Sequence, residues 1–464
     1  MKNVNIKKPF ISKVRENIIV SMASIALIYL LISLYFINHT FFRTVINGVD
    51  ISLKAYDEAE HIIRSYVKEY ELQLMERNGE IEEITGQDIV MQYNDKSSLS
   101  SIYHTQNSLK WITPLFGRQK YYTNDLFVYD KEKLENKISE LNCMNKVFIE
   151  PQDVSFTYSN GIYEVIEEVF GNKIIKDRLR KAIEISILKG QTKLDLNKNH
   201  CYENPRFTMN SVKTFETKNL LDKYVKAKII YKFGNESETL DGYTINKWLG
   251  VDESLDVVID NEAVMKYVGK LSLKYDTVGK ARNFKTSIGK TVEVKGGLYG
   301  WRINRAAEAK ALIENIKLGE VLEKEPIYTQ KPLSRYGNEI GNTYVEINVT
   351  RQYLWFYKNG KLVARGAVVT GKPNKGYSTV LGIYMLNYKQ KGATLIGADY
   401  ESEVTYWMPF FGNIGIHDAS WRYSFGGDIY KRNGSHGCVN VPVYLAKKIY
   451  DNIEEGTPII CYEE

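Results

Sequence analysis

The chain has 464 residues, 44% hydrophobic and 25% charged, with a formal net charge of +6. That length predicts about two to four domains, and the composition excludes a disordered chain. With 62 Lys and Arg against 56 Asp and Glu, the surface is mixed, and no cluster of basic and aromatic residues points to nucleic acid.

The first predicted element is a membrane anchor. Ile18 to Ile37 runs 20 residues without a charge, and nothing charged stands between Glu16 and Arg43. About 20 such residues in a helix cross a bilayer core. Lys2, Lys7, Lys8, Lys13 and Arg15 precede the run. This predicts a cytoplasmic tail at 1–17, a transmembrane helix at 18–37 and the remainder outside the cell membrane, crossed once. A cleaved signal peptide would end in a small-residue site; Phe36, Asn38, His39, Phe41, Phe42 and Arg43 make a poor one.

Next comes a duplication. Val128-Tyr-Asp-Lys-Glu-Lys-Leu134 recurs 130 positions later as Val258-Ile-Asp-Asn-Glu-Ala-Val264. Glu164-Val165 is followed by Gly171 and Gly190, and Glu293-Val294 by Gly300 and Gly319, at equal spacings. Between the glycines, Ile174, Ala182, Ile183 and Ile187 match Ile303, Ala311, Leu312 and Ile316. These positions fit one face of a helix ending at a glycine. Tyr66-Val67-Lys68 and Gly86 match Tyr224-Val225-Lys226 and Gly242 more loosely. Two α+β modules are expected, at 45–200 and 210–325. The pattern resembles the peptidoglycan-binding modules found beside wall transpeptidases in Gram-positive bacteria. Asn47-Gly48-Val49-Asp50-Ile51-Ser52, followed by Ala55, Ala59, Ile62 and Ile63, is typical of their start. The resemblance implies wall binding; a spacer role is the competing reading.

From Asn342 the texture changes to short strands. Val345, Ile347 and Val349 alternate with polar residues, and Asn359-Gly360 joins Tyr353–Tyr357 to Lys361–Arg365 as a hairpin. A mostly β domain is expected at 342–464. It contains Ile416-His417-Asp418 and Gly434-Ser435-His436-Gly437-Cys438-Val439-Asn440. A nearby imidazole takes the proton of a thiol, and an imidazolium keeps the thiolate populated near neutral pH. Glycines beside the cysteine let backbone N–H groups approach an oxyanion. His417, His436 and Cys438 are zinc-ligand types, but no paired spacing supports a metal. Cys461 reads as a small buried hydrophobe. Four cysteines are too few for a disulfide scaffold; Cys143 with Cys201 is the one pairing left open.

Here the chain resembles the L,D-transpeptidase family (YkuD domain), whose signature is a histidine followed at a set distance by Ser/Thr-His-Gly-Cys-x-Asn. In this chain 17 residues, 418 to 434, separate His417 from Ser435, and every defined position matches. Tyr406-Trp407-Met408 and Trp421-Arg422 extend the likeness and, with Asn440, are the expected substrate contacts. Thr379-Val380-Leu381-Gly382 departs from the family's Thr-Pro-x-Gly. The resemblance implies a β-sandwich with a lid over a cleft. Cys438 attacks the carbonyl of the third residue of a tetrapeptide stem, D-Ala leaves, and a neighbouring stem's amine resolves the thioester into a 3→3 cross-link. His417 is the implied base, oriented by the backbone carbonyl of Asp418. His436 and Ser435 shape the site, and the N–H groups of Gly437 and Cys438 form the oxyanion hole. No metal or organic cofactor is implied, and carbapenems are implied inhibitors.

Other classes fit less well. Papain-like enzymes place the cysteine before its histidine. A sortase has an arginine soon after its cysteine, and 439–464 contains none. An L,D-carboxypeptidase of the same fold and a non-catalytic membrane-anchored wall-binding protein are the remaining alternatives.

Overall fold

The computed structural model describes residues 8–397 and 401–464; Lys2 and Lys7 of the expected tail lie outside them. One helix, Lys8–Tyr35, carries the apolar run. Its side chains turn outward, with Met22 66% and Ile25 68% exposed, the reverse of a core helix. The helix stops two residues short of the expected span. Phe36 turns inward, 1% exposed, with Phe41 and Phe42 rings at 5.3 Å.

The chain forms two compact units, one from the chain up to Ser155 with Val165–Ser211, the other from Phe156–Glu164 with Val212–Glu464. Each contains the same small sheet. In the first, Glu71–Met75 pairs antiparallel with Ile81–Thr85 and parallel with Lys193–Asp195. In the second, Lys228–Phe233 pairs antiparallel with Glu236–Leu240 and parallel with Val321–Lys324. Three helices recur in order: Tyr56–Lys68, Lys131–Glu140 and Lys176–Leu188 in one, Val212–Val225, Asn261–Tyr275 and Arg305–Leu318 in the other. Asp130 and Asp260 cap the middle helices, each side chain accepting from two first-turn amides. Leu134 and Ile138 are buried as Val264 and Val268 are. Gly319 closes the last helix at φ 70. Gly190, past the end of its counterpart, has φ 61, and a Cβ there would lie 1.9 Å from the Asn47 carbonyl oxygen. Residues 156–164 belong to the second unit, where Tyr163 packs on Leu221 and Val225.

The C-terminal strands form two sheets. One has the order Lys361–Ala367, Tyr353–Lys358, Tyr344–Asn348, Pro458–Tyr462, Gly382–Met385. The other has the order Gln390–Ile396, Glu401–Phe411, Ile414–Asp418, Val439–Val441. They share a core: Val345, Ile347 and Phe356 from the first, Met408, Phe410, Ile416 and Val439 from the second, and Leu445 and Ile449 from helix Val443–Tyr450. Asn359 and Gly360 take φ 50 and 75, as a two-residue hairpin turn requires.

Strand Tyr344–Asn348 departs from its alternating pattern. Val345 and Ile347 face the core, but Glu346 and Asn348 are buried too, each 0% exposed. The hairpin Arg282–Lys285/Thr291–Val294 covers that face with Phe284 and Val294, joined by Tyr299, Ile340, Ile383 and Ile460. Glu346 accepts from Ser287 N at 3.0 Å and from the Tyr462 hydroxyl at 2.7 Å. Both polar positions thus find partners within the protein, Asn348 donating to the Tyr462 hydroxyl at 3.2 Å. Replacing Glu346 with Ala is expected to cost about 1–3 kcal/mol for each buried donor left unpaired. Urea denaturation of the full chain should show a lower midpoint for the second unit; an unchanged midpoint contradicts this account of the covered face.

Candidate active site

Strand register builds the site. Ile414–Asp418 runs antiparallel to Glu401–Phe411 and parallel to Val439–Val441, so His417 lies opposite Trp407 on one side and Asn440 on the other. Cys438 immediately precedes the strand that brings Asn440 there.

His417 is 4% exposed, and its Nδ1 lies 2.8 Å from the carbonyl oxygen of Asp418. A carbonyl only accepts, so Nδ1 carries the hydrogen and Nε2 keeps its lone pair. Burial holds the imidazole below the ordinary histidine range; the Asp418 carbonyl opposes this and the Arg422 charge adds to it. The Asp418 carboxylate accepts from the amides of Thr405 at 2.9 Å and Tyr406 at 2.7 Å. It clamps the neighbouring strand.

Cys438 is 7% exposed, packed with Val404 and Trp407. Its Sγ donates to the Asn413 carbonyl at 3.4 Å. Burial pushes the thiol up to about 11, against an opposing hydrogen bond from the Gly415 backbone. Burial thus favours the neutral form of both the thiol and the imidazole. The thiolate sustained by an imidazolium, expected from the sequence, is disfavoured by that burial in the free site. Burying separate charges costs several kcal/mol per ion.

The loop before the cysteine is tightly tied. Ser435 Oγ donates to the Cys438 carbonyl and accepts from Gly437 N–H at 3.1 Å. The Gly437 amide, expected to face an oxyanion, is thus turned to Ser435 in the free enzyme. Gly437 has φ 118, a conformation open to glycine. Thr379 Oγ1 donates to the Gly437 carbonyl at 2.8 Å and accepts from Gly371 N–H at 2.9 Å. In the sequence Thr379 stands out only as the head of a segment that departs from the family's Thr-Pro-x-Gly. The available signal was a hydroxyl kept at the head of a segment whose next position departs from its family.

A pocket of about 220 Å³ opens over His417 and Cys438 and is lined also by Trp421, Arg422, Ser435, His436 and Asn440. Asn440 is 2% exposed, and its Oδ1 and the buried Nε of Arg422 lack hydrogen-bond partners among the described residues. Unpaired buried polar atoms cost about 1–3 kcal/mol each, so both are suited to a polar ligand. His436 is exposed, its ring 4.5 Å from Tyr377. Leu395 and Ser402, from strands Gln390–Ile396 and Glu401–Phe411, reach the pocket wall; residues 398–400 lie outside the described residues.

Two expected substrate contacts are core residues. Met408 is 0% exposed between the sheets, and Tyr406 packs in the same core with its ring 5.2 Å from Tyr450. Strand alternation leaves Trp407 on the Cys438 side. Cys143 and Cys201 are separate buried thiols, as is Cys461. Among the described residues no group of three His, Cys, Asp or Glu side chains is placed to hold one metal ion.

Residues 342–461 match the family described as the YkuD L,D-transpeptidase catalytic domain. Residues 83–195 and 212–322 each match the family described as "Putative peptidoglycan binding domain". No curated protein matches the chain. Among solved structures, the Ldtfm–avibactam carbamoyl enzyme is 32% identical, covering 54% of this chain and 99% of that one, with a TM-score of 0.44. A cysteine-to-serine mutant of the Enterococcus faecium L,D-transpeptidase is 33% identical, covering 53% of this chain and 100% of that one, with a TM-score of 0.43. The catalytic domain from E. faecium L,D-transpeptidase acylated by ertapenem is 38% identical, covering 26% of this chain and 98% of that one, with a TM-score of 0.25.

A neutral thiol predicts a particular pH dependence. Only the thiolate is alkylated. Because the Cys438 thiol is raised to about 11, its alkylation by iodoacetamide in the free enzyme should climb about tenfold per pH unit from neutral pH upward. Peptide-mapped alkylation rates measure this. A plateau already reached near neutral pH would mean a preformed ion pair.

Proposed function

This chain belongs to the L,D-transpeptidase family, with its YkuD catalytic domain at residues 342–461, and from that premise we propose that Cys438 and His417 join peptidoglycan stem peptides on the outer face of the cell membrane. The observation that carries the assignment is one pocket holding a buried thiol, an imidazole with a free Nε2 lone pair, and two unpaired polar groups. Members of this family are transferases of the cysteine-nucleophile type.

The donor is a tetrapeptide stem. Its carbonyl enters above Cys438, with the Asn440 amide oxygen accepting a substrate N–H and the Arg422 guanidinium facing the terminal carboxylate. Leu395 and Trp421 wall the peptide, and Trp407 packs behind Cys438. His417 Nε2 takes the thiol proton as Sγ bonds to the carbonyl carbon, so charge forms only once substrate has displaced water. The Cys438 N–H stabilises the oxyanion. Collapse breaks the C–N bond, and His417 returns the proton to the departing D-Ala amine. The side-chain amine of a second stem then attacks the thioester, loses a proton to His417 Nε2, and forms the 3→3 link as the thiol is restored. Ser435 and Thr379 position the loop, Asp418 positions the imidazole, and His436 lies at the pocket mouth. Cys438 is also the site of carbapenem acylation, in keeping with the ertapenem-acylated E. faecium domain.

The two repeats hold wall polymer, as their family match supports. The helix Lys8–Tyr35 anchors the chain in one pass, with its basic N-terminal flank in the cytoplasm. It is long and apolar enough to cross a membrane.

The test is mass spectrometry of muropeptides formed by the full chain from tetrapeptide stems. Cross-linked dimers one D-Ala lighter are expected; tripeptide monomers alone would make water the acceptor and overturn the transferase reading. Cys438→Ala should abolish dimers and the carbapenem adduct. A mapped adduct on Cys143, Cys201 or Cys461 refutes the nucleophile.

His417→Ala should lower kcat by roughly 10²–10⁴-fold, the range of a missing general base. Arg422→Ala should act mainly through substrate binding, raising KM for stems with a free terminal carboxylate more than for the corresponding amides. Equal effects on both substrates would remove Arg422 from carboxylate recognition.

A further inference from the structure

The apolar helix has a companion segment. Ser108–Lys110 and Thr113–Phe116 are two short 3-10 turns in the first unit. Tyr29 of the helix donates its hydroxyl to the Leu109 carbonyl, and its ring lies 5.5 Å from Trp111. Phe36 stacks on the same tryptophan at 6.2 Å. From this attachment the segment turns Leu109, Ile112, Leu115 and Phe116 outward, with Phe116 88% exposed. Lys110, Arg118 and Lys120 are exposed among and beside them. Four large apolar side chains exposed within eight residues have no covering element among the described residues.

Depth along the helix says what covers them. A hydrocarbon core of ~30 Å takes about 20 helical residues at ~1.5 Å each. The uncharged stretch starts after Glu16, so a full span must reach about Phe36. Tyr29 then lies ~10 Å inside the outer edge of that span. A segment bonded to Tyr29 and packed on Trp111 cannot remain in bulk water while the helix spans. It must enter the interface, where amphipathic segments sit ~5–10 Å deep at the boundary between headgroups and acyl chains. Apolar side chains suit that depth, a Tyr–Trp pair suits the interfacial belt, and the flanking cations suit anionic headgroups.

We propose that residues 108–118 are a second membrane contact. Leu109, Ile112, Leu115 and Phe116 insert shallowly into the outer leaflet beside the helix, while Lys110 and Arg118 meet anionic headgroups. The first unit is thereby held to the bilayer at two places, which restricts its tilt. The inference rests on the single-pass reading of Lys8–Tyr35, and its test separates the two.

The full chain is reconstituted in vesicles of phosphatidylethanolamine and phosphatidylglycerol. A Cys438→Ala background is used, since the other three cysteines are buried. An environment-sensitive fluorophore is placed by Phe116→Cys, and in parallel by Ile25→Cys in the helix and Lys198→Cys, whose side chain is 81% exposed. The expected result at 116 is blue-shifted emission, quenching by lipid carrying a nitroxide near the top of its acyl chain, and protection from aqueous iodide. The probe at 198 should behave in the opposite way. If 116 behaves like 198 while 25 reports lipid, the insertion is overturned and the anchor stands. If 25 and 116 both report water, the anchor reading falls and the insertion falls with it.

Discussion

The hydrogen bond from His417 Nδ1 to the carbonyl oxygen of Asp418, 2.8 Å long, is the constraint on which the catalytic account depends. It fixes the tautomer, and through it the direction of the only lone pair that can receive the thiol proton. A carbonyl can orient an imidazole without giving it a full countercharge, whereas a carboxylate in that place would favour the imidazolium. The Asp418 carboxylate is instead bonded to the amides of Thr405 and Tyr406. One residue therefore supplies a neutral orienter through its backbone and a strand clamp through its side chain.

Burial does the rest. His417 and Cys438 are nearly closed off by Trp407 and the adjoining strands, which favours the neutral form of each. A resting ion pair would be reactive but costly in such a place. A neutral pair defers charge separation until a substrate carbonyl is present to accept electrons. The loop that carries the nucleophile is held rigid to match. Ser435 ties the Cys438 carbonyl to the Gly437 amide, and Thr379 ties Gly437 to Gly371. The only buried polar atoms left unpaired at the pocket are on Arg422 and Asn440, among the described residues, where a peptide with a carboxylate end offers partners.

Much of this was legible in the sequence because it rests on local rules. The recurrence of Val128–Leu134 as Val258–Val264 announces a repeat, Asn359-Gly360 a hairpin, and His417 with Ser435 through Asn440 a reactive constellation. What was not legible depends on which surfaces meet. Val345, Ile347 and Val349 alternate with polar residues, but the hairpin at 282–294 covers the polar face and bonds Glu346. The motif placed Tyr406, Trp407 and Met408 together, whereas the pleat sends Trp407 to the site and its neighbours to the core. The sequence also suggested an accessible thiolate. Only the packing of Val404 and Trp407 over Cys438 shows the cost of charging it.

The most direct test of this account is the nitrogen NMR spectrum of the His417 imidazole in the free full chain at neutral pH, assigned by comparison with His417→Gln. The account predicts a neutral ring with the proton on Nδ1 and an unprotonated Nε2, shifting toward imidazolium only when a carbapenem or stem peptide reacts with Cys438. A ring already protonated at both nitrogens in the free enzyme would mean a preformed ion pair, and would contradict it.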